Sequence, residues 1–449
     1  MAKEATELGS AGLRRKAARG VNVLALIDGE HYPDVVRVAF VAIPHEVLGA
    51  VLVGGTEKLR GGEDYGVPLF ETLEEGIEAT GAEAVVDLSD EPVLDPRSRF
   101  QLASRTLAAG LSYLGADFRF DPVRFEPFEL PSLAVIGTGK RVGKTAVAGH
   151  VARLLARDRE VVVVAMGRGG PREPVVAEPE PALEDLLELS RSGVHAASDY
   201  LEDAAMARVT TVGARRCGGG LAGAPFFSNL PQGARLAASL APDLVLFEGS
   251  GAAFPPIATG GRILVAGAAQ DPETITGFFG AYRLLLSDLV ILTGCEEPLI
   301  DPRELESLKD AIDRVRPGLP VVETIFRPNP VGSIKGRRVA FFSTAPDGIH
   351  ARLREHLARE HGAEVVLVSG NLGRRQELRA DLASVEARSA DVYLVELKAA
   401  AIDVVAETAA ERDVELVLCD NEVRTLRGKH ELDELVAALA DRVAAGVPA

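Results

Sequence analysis

Apolar residues along this chain fall into short unbroken runs, separated by stretches in which they recur every three or four positions. The runs read as buried strands and the periodic stretches as helices. Their alternation predicts α/β units built on mostly parallel sheets. The first set of strand-like runs comprises "VNVLALIDG", "VRVAFVAI", "AVLVGG" and "AEAVVDLSD", and it ends near the Pro- and Phe-rich stretch "FDPVRFEPFELP", within an expected linker at about 118–131. The second runs from "SLAVIGTG" through "EVVVVAMG", "PDLVLFEGSG", "GRILVAGAA" and "SDLVILTG" to "LPVVETIF". A break at "RPNPVGSIKGRR", residues 327–338, precedes the third set, "RVAFFSTAP", "AEVVLVSGNL", "ADVYLVELK" and "VELVLCDNE". No solenoid-type repeat is present. The expected domains are residues 1–128, 129–332 and 333–449, a number in keeping with a chain of 449 residues.

Composition narrows the class. Hydrophobic residues make up 47% and charged residues 26%, as in soluble globular enzymes, and no apolar run reaches the roughly 18 residues of a membrane span. The opening "MAKEATELGSAGLRRKAARG" lacks an apolar core and reads as an N-terminal arm, not a secretory signal. A net charge of −17 argues against a nucleic-acid partner. The three cysteines, Cys217, Cys295 and Cys419, are widely spaced, which suggests free thiols in a reducing cytoplasm. The eight histidines show no metal-ligand spacing, so neither zinc nor iron is expected.

"VIGTGKRVGKTAV", residues 135–147, carries the strongest chemistry. A strand leads through glycines into Gly143-Lys144-Thr145 and then a helical stretch, as in a phosphate-binding loop. The usual first glycine is displaced, since that position is Thr138, flanked by Gly137 and Gly139. Glycines let backbone N–H groups surround phosphate oxygens, and the helix N-terminus adds positive charge. Gly137, Thr138, Gly139, Lys140, Arg141, Val142, Gly143, Lys144, Thr145 and Ala146 are the expected ATP-binding set. Lys144 should reach the β- and γ-phosphates and the Thr145 hydroxyl should ligate Mg²⁺. "APDLVLFEGSG" ends a strand in Glu248, a second expected Mg²⁺ ligand. Lys144, Lys140 and Glu248 are the candidate catalytic groups.

Basic residues in glycine loops oppose the acidic balance of the chain. Arg168 and Arg172 lie in "MGRGGPREP", and Arg215 and Arg216 lie beside Gly218 and Gly219 in "RRCGGGLAG". In open α/β sheets ligands sit outside the carboxyl ends of strands, and guanidinium forks suit phosphate and carboxylate. ATP alone does not require so many cations, so a second, highly anionic substrate is expected. Asp28, Glu30 and His31 in "LIDGEHYPDVV" read as a polar strand-to-helix turn. Whether His31, Lys398 or Cys217 contacts a ligand is left open.

The loop "GTGKRVGKT" and the strand end "FEGSG" resemble the dethiobiotin synthetase branch of P-loop proteins, whose loop runs Gly-Thr-x-x-x-Val-Gly-Lys-Thr. With "MGRGGP", "RRCGGGLAG" and "VELKAAAIDV", the whole chain resembles the cyclic 2,3-diphosphoglycerate synthetase family. That resemblance implies a central P-loop NTPase domain with a mostly parallel sheet, flanked by a Rossmann-like N-terminal domain and a smaller α/β C-terminal domain. It implies a cytoplasmic enzyme, an ATP-dependent ligase that closes 2,3-diphosphoglycerate into its cyclic anhydride through a phosphoanhydride, with Mg²⁺. The substrate carries a charge of roughly −4 to −5, which accounts for the arginines. A 2-phosphoglycerate kinase and a dethiobiotin-synthetase-like ligase remain as rival enzymes. A partitioning-type P-loop switch is the rival from another class, although its signature lysine position is Gly139 here. A homodimer is compatible with the sequence, which leaves the oligomeric state open.

Overall fold

The structure, a computed structural model, describes residues 20–59, 61–179, 186, 188, 199–397, 401–426 and 431–446. The N-terminal arm up to residue 19 and Lys398 lie outside them. The chain divides into two compact units, Met1–Pro122 and Val123–Ala449.

In the first unit the strands are β1 (Asn22–Ile27), β2 (Glu46–Leu52), β3 (Leu69–Phe70), β4 (Ala84–Asp87), β5 (Ser112–Leu114) and β6 (Arg119–Phe120). They form one sheet in the order β3-β2-β1-β4-β5-β6, parallel except for β6. The expected strand "VRVAFVAI" is instead part of a helix, Pro33–Ala42. Its β-branched residues favour a strand, but β1 and β2 are parallel neighbours and need a crossover between them. Pro33 starts that crossover at the first helical turn, where its missing N–H costs nothing. Asp28, at the end of β1, accepts from the N–H of Asp90 beyond β4 at 2.8 Å and contacts His31 Nδ1 at 2.7 Å. The "DGEH" segment is thus a polar turn that braces two strand ends.

The second unit holds β7 (Ser132–Gly137), β8 (Val161–Gly167), β9 (Val175–Ala177), β10 (Thr211–Cys217), β11 (Phe227–Ser228), β12 (Leu244–Glu248), β13 (Gly261–Gly267), β14 (Leu289–Thr293) and β15 (Val321–Pro330). It continues with β16 (Arg338–Phe342), β17 (Glu364–Ser369), β18 (Val392–Glu396) and β19 (Glu415–Thr425). All join one sheet in the order β11-β10-β8-β12-β7-β13-β14-β15-β19-β18-β16-β17, with β9 on β10. From β10 to β15 every pair is parallel. β19 then pairs antiparallel to β15, while β18, β16 and β17 follow β19 in parallel. Residues 123–131 belong to this unit, with Phe125 and Phe128 packed edge-on against Phe254 and Phe247.

The sheet reversal creates the cleft. Thr324 of β15 lies level with the end of β14 at Thr293, whereas Pro330 pairs with Cys419, beside Glu396 at the end of β18. The carboxyl ends of the two sets therefore face each other, separated by six residues of the β15–β19 ribbon, about 20 Å. This strand runs on through the expected break at Pro328 and Pro330. Beyond Thr324 it has only β19 beside it, so both prolines can face an open edge that needs no N–H donor.

Helix Lys144–Leu155 follows β7 and packs beneath the cleft. Val147, Val151 and Leu155 recur every four residues and are fully buried in a core shared with β7, β8, β12 and β13. Burial contributes about 1.5–3 kcal/mol for each such side chain. That packing holds the helix N-terminus at the carboxyl edge of the sheet.

Candidate active site

The phosphate-type loop is built from both sides. Thr138 donates from its N–H to Val265 O at 3.1 Å and from its hydroxyl to Gln270 Oε1 at 2.5 Å. Gln270 Oε1 also accepts from Gly267 N–H, and the Thr293 hydroxyl donates to Val142 O at 2.8 Å. Gly143 has φ +78°, and a β-carbon there would lie 2.2 Å from the Phe326 ring, so both conformation and space demand glycine. Arg141 adopts φ +59°, a strained value of the kind found at functional sites. Lys140 and Arg141 are exposed on the loop. The helix begins at Lys144 with no acidic residue in its first turn, which leaves its unpaired N–H groups facing the cleft.

Behind the loop lies a buried charged cluster. Lys144 Nζ donates to Glu248 Oε1, and Glu248 is fully buried. Asp203, on helix Asp199–Ala207, is 2% exposed. Glu248 and Asp203 are hydrogen-bonded to each other through their carboxyl groups, whose Oε2 and Oδ2 atoms are buried from solvent. Burial opposes ionisation of Glu248, yet the Lys144 charge and neighbouring donors, Thr145 among them, hold its pKa below the ordinary value. Burial, reinforced by the Glu248 charge, pushes the Asp203 carboxyl well above its ordinary value. The two buried carboxyl groups and the Thr145 hydroxyl form an all-oxygen donor set, which suits a small hard cation that displaces the proton they share and also contacts phosphate.

The arginines do not act as one group. Arg168 follows β8 and Arg216 is the penultimate residue of β10, and a β-carbon on Gly251 would sit 2.8 Å from Arg168 Nη2 and 3.7 Å from Arg216 Nη2. Both guanidiniums therefore meet at the turn after Glu248. Arg216 is buried and donates to Gly218 O at 2.6 Å and Ser250 O at 2.8 Å, while Gly219 lies beside it. Arg215 is its strand neighbour and projects to the opposite face of the sheet. Arg172 is exposed, and its carbonyl accepts from Asn229 Nδ2. Cys217 is an exposed thiol next to this turn, whereas Cys295 and Cys419 are buried.

A cavity of about 870 Å³ joins these parts, lined by the loop from Gly139 to Ala146, by Arg168, Asp203 and Gly251, and on its far side by Phe326, Thr344, Gly373, Glu396 and Asn421. Three positioning residues escaped the sequence reading: Asp203, Gln270 and Arg283. Arg283 is buried, and it ties the glycine loops by donating to Ala252 O at 2.7 Å and Leu221 O at 3.3 Å. None sits in a glycine motif. Among the described residues no helix is long and apolar enough to cross a membrane.

Three family models match in chain order. They describe the N-terminal domain (residues 22–121), the P-loop domain (132–325) and the C-terminal domain (330–422) of cyclic 2,3-diphosphoglycerate synthetase. The chain belongs to the cyclic 2,3-diphosphoglycerate synthetase family. A relative of that name from Rubrobacter xylanophilus is 51% identical over 418 residues, 90% of this chain and 94% of its own. Another from Thermococcus kodakarensis is 45% identical over 433 residues, 94% and 98% of the two chains. Among solved structures, LpxK from Aquifex aeolicus in complex with ATP covers 70% of this chain and 90% of its own, at 14% identity and a TM-score of 0.42. Membership of a synthetase family with a P-loop domain makes this chain a nucleotide-binding enzyme that acts on a small molecule.

Proposed function

We propose that this chain converts ATP and 2,3-diphosphoglycerate into cyclic 2,3-diphosphoglycerate, ADP and phosphate, as an ATP-dependent ligase forming a phosphoric anhydride. The observation that carries the reading is the meeting of Lys144, a buried pair of carboxyl groups and two guanidiniums around one turn, Glu248–Gly251. The names of the relatives support the substrate.

In this reading the loop and Lys144 hold the ATP phosphates, with Lys144 turning from Glu248 to the transferring group. Thr145, Glu248 and Asp203 would hold Mg²⁺, which supplies positive charge at the transferring phosphoryl group. Arg168 and Arg216 bind the anionic substrate, whose phosphates repel each other and need opposing charge to lie in line. One substrate phosphate oxygen attacks the γ-phosphorus, ADP leaves, and a phosphoanhydride forms. An oxygen of the second substrate phosphate then attacks the carbon-linked phosphorus of that anhydride. The ring closes and inorganic phosphate departs. Both nucleophiles are already ionised at neutral pH, so no general base is needed. Positioning and electrostatic stabilisation do the work.

The test is ADP release with and without 2,3-diphosphoglycerate, followed by phosphorus NMR of the product. The reading expects ADP only in the presence of that substrate, in equal amount with the cyclic anhydride. ADP release indifferent to it would reject the proposal in favour of a switch.

A further inference from the structure

The sheet order gives a nucleotide on the loop a direction. β12 and β8, which end at Glu248 and just before Arg168, lie on one side of β7, while β13, β14 and β15 lie on the other. A triphosphate whose terminal group faces Glu248 and Asp203 therefore leaves its nucleoside on the β14–β15 side. There the Phe326 ring lies against Gly143, and Pro328, two residues further along β15, pairs with Asn421 of β19. That step is about 7 Å, within the reach of a nucleoside. This part of the cavity is lined by Phe326, Pro328, Ile349 and Leu353, with Glu396 and Asn421 as polar members. A wall of apolar side chains accepts a flat neutral ring.

Glu396 sets the orientation of the polar end. It is 4% exposed, and its Oε2 accepts from the Thr344 N–H at 3.0 Å and hydroxyl at 3.1 Å. Its Oε1 accepts from Asn421 Nδ2 at 3.0 Å. A carboxylate only accepts, so the amide must turn its NH₂ to Glu396 and its Oδ1 away. Asn421 thus presents a fixed acceptor. Adenine carries an exocyclic amine donor where guanine carries a carbonyl acceptor.

We propose that the C-terminal strands hold the nucleoside of ATP, and that Asn421, oriented by Glu396, selects adenine by accepting from its exocyclic amine. This rests on the ATP reading above. The experiment is calorimetric titration of the full chain with ATP, GTP and inorganic tripolyphosphate, each with Mg²⁺. Wild-type protein binds ATP more tightly than GTP. Asn421→Ala weakens ATP about fivefold, the scale of one neutral hydrogen bond, and leaves tripolyphosphate unchanged. Glu396→Gln keeps an acceptor for Thr344 but offers Asn421 a donor. The Asn421 amide then turns over, and binding shifts towards GTP with tripolyphosphate again unchanged. An ATP-to-GTP ratio that neither variant moves, or equal losses for ATP and tripolyphosphate, overturns the proposal while leaving the ATP reading intact. Wild-type protein that binds none of the three ligands overturns both.

Discussion

Asp203→Asn should make the protein more stable and less active. The side chain is 2% exposed, and burial beside the Glu248 charge favours its protonated form, hydrogen-bonded to Glu248. Holding a buried carboxyl protonated beyond its ordinary range costs about 1–3 kcal/mol, and asparagine donates to Glu248 without that cost. For a unit spanning Val123–Ala449, unfolding entropy of about 2 cal/mol/K per residue converts that gain into a Tm rise of roughly 2–4 °C. The pH dependence has a defined sign. The folded-state pKa of Asp203 is raised, so wild-type stability falls as pH climbs through and above the ordinary carboxylate range. The advantage of Asp203→Asn should therefore be small near pH 3 and grow towards neutrality. Magnesium and ADP should reverse the ranking, because a ligand that binds only the folded state stabilises by mass action, and the variant offers the proposed metal site one carboxylate fewer. Differential scanning calorimetry with and without MgADP at several pH values reads both effects. An Asp203→Asn protein that is less stable without ligand, or that gains as much from MgADP as wild type, refutes the reasoning.

Lys144→Ala should abolish turnover and lower Tm, opposite in sign to Asp203→Asn, because breaking a buried pair costs about 3–5 kcal/mol; calorimetry and ADP assays check it. Arg168→Ala should raise KM for 2,3-diphosphoglycerate about ten- to a hundredfold with little change for ATP, while Arg215→Ala, on the other face of β10, has a smaller effect in the same steady-state assay. Gly143→Ala should abolish nucleotide binding in a filter assay, since it meets both a left-handed φ and the Phe326 ring. Glu296 resists burial through Arg327 and Arg352, which hold its pKa below the ordinary value. Its stabilisation is present above the unfolded-state value and lost as pH falls through the folded one. Arg352→Ala should therefore cost stability in urea at pH 7, and the cost should shrink below pH ~4.

The strands of the parallel sets were readable because burial on both faces makes them continuous apolar runs, as in β7, β8 and β12. The loop and Glu248 were readable because glycine, lysine and a strand-end carboxylate occupy fixed chain spacing. "VRVAFVAI" misled because β-branched composition competes with the crossover that parallel β1 and β2 require. Asp203 was hidden in "YLEDAAMA", where adjacent acids look like a solvated helix face. Only the packing of that helix against β8 and β10 buries one of them. Arg215 and Arg216 looked like a pair, but strand alternation sends them to opposite faces, and only Arg216 reaches the turn after Glu248. The opposed carboxyl edges of the cleft follow from β19 entering antiparallel to β15, a long-range pairing with no local signature.

The most direct measurement of the central claim, that a substrate phosphate is phosphorylated before the ring closes, is isotopic. With ¹⁸O in the non-bridging phosphate oxygens of 2,3-diphosphoglycerate, the phosphoanhydride route places one labelled oxygen in each released phosphate, read by mass spectrometry. Phosphate that carries no substrate label, and takes its fourth oxygen from ¹⁸O-water in a parallel run, would contradict the account.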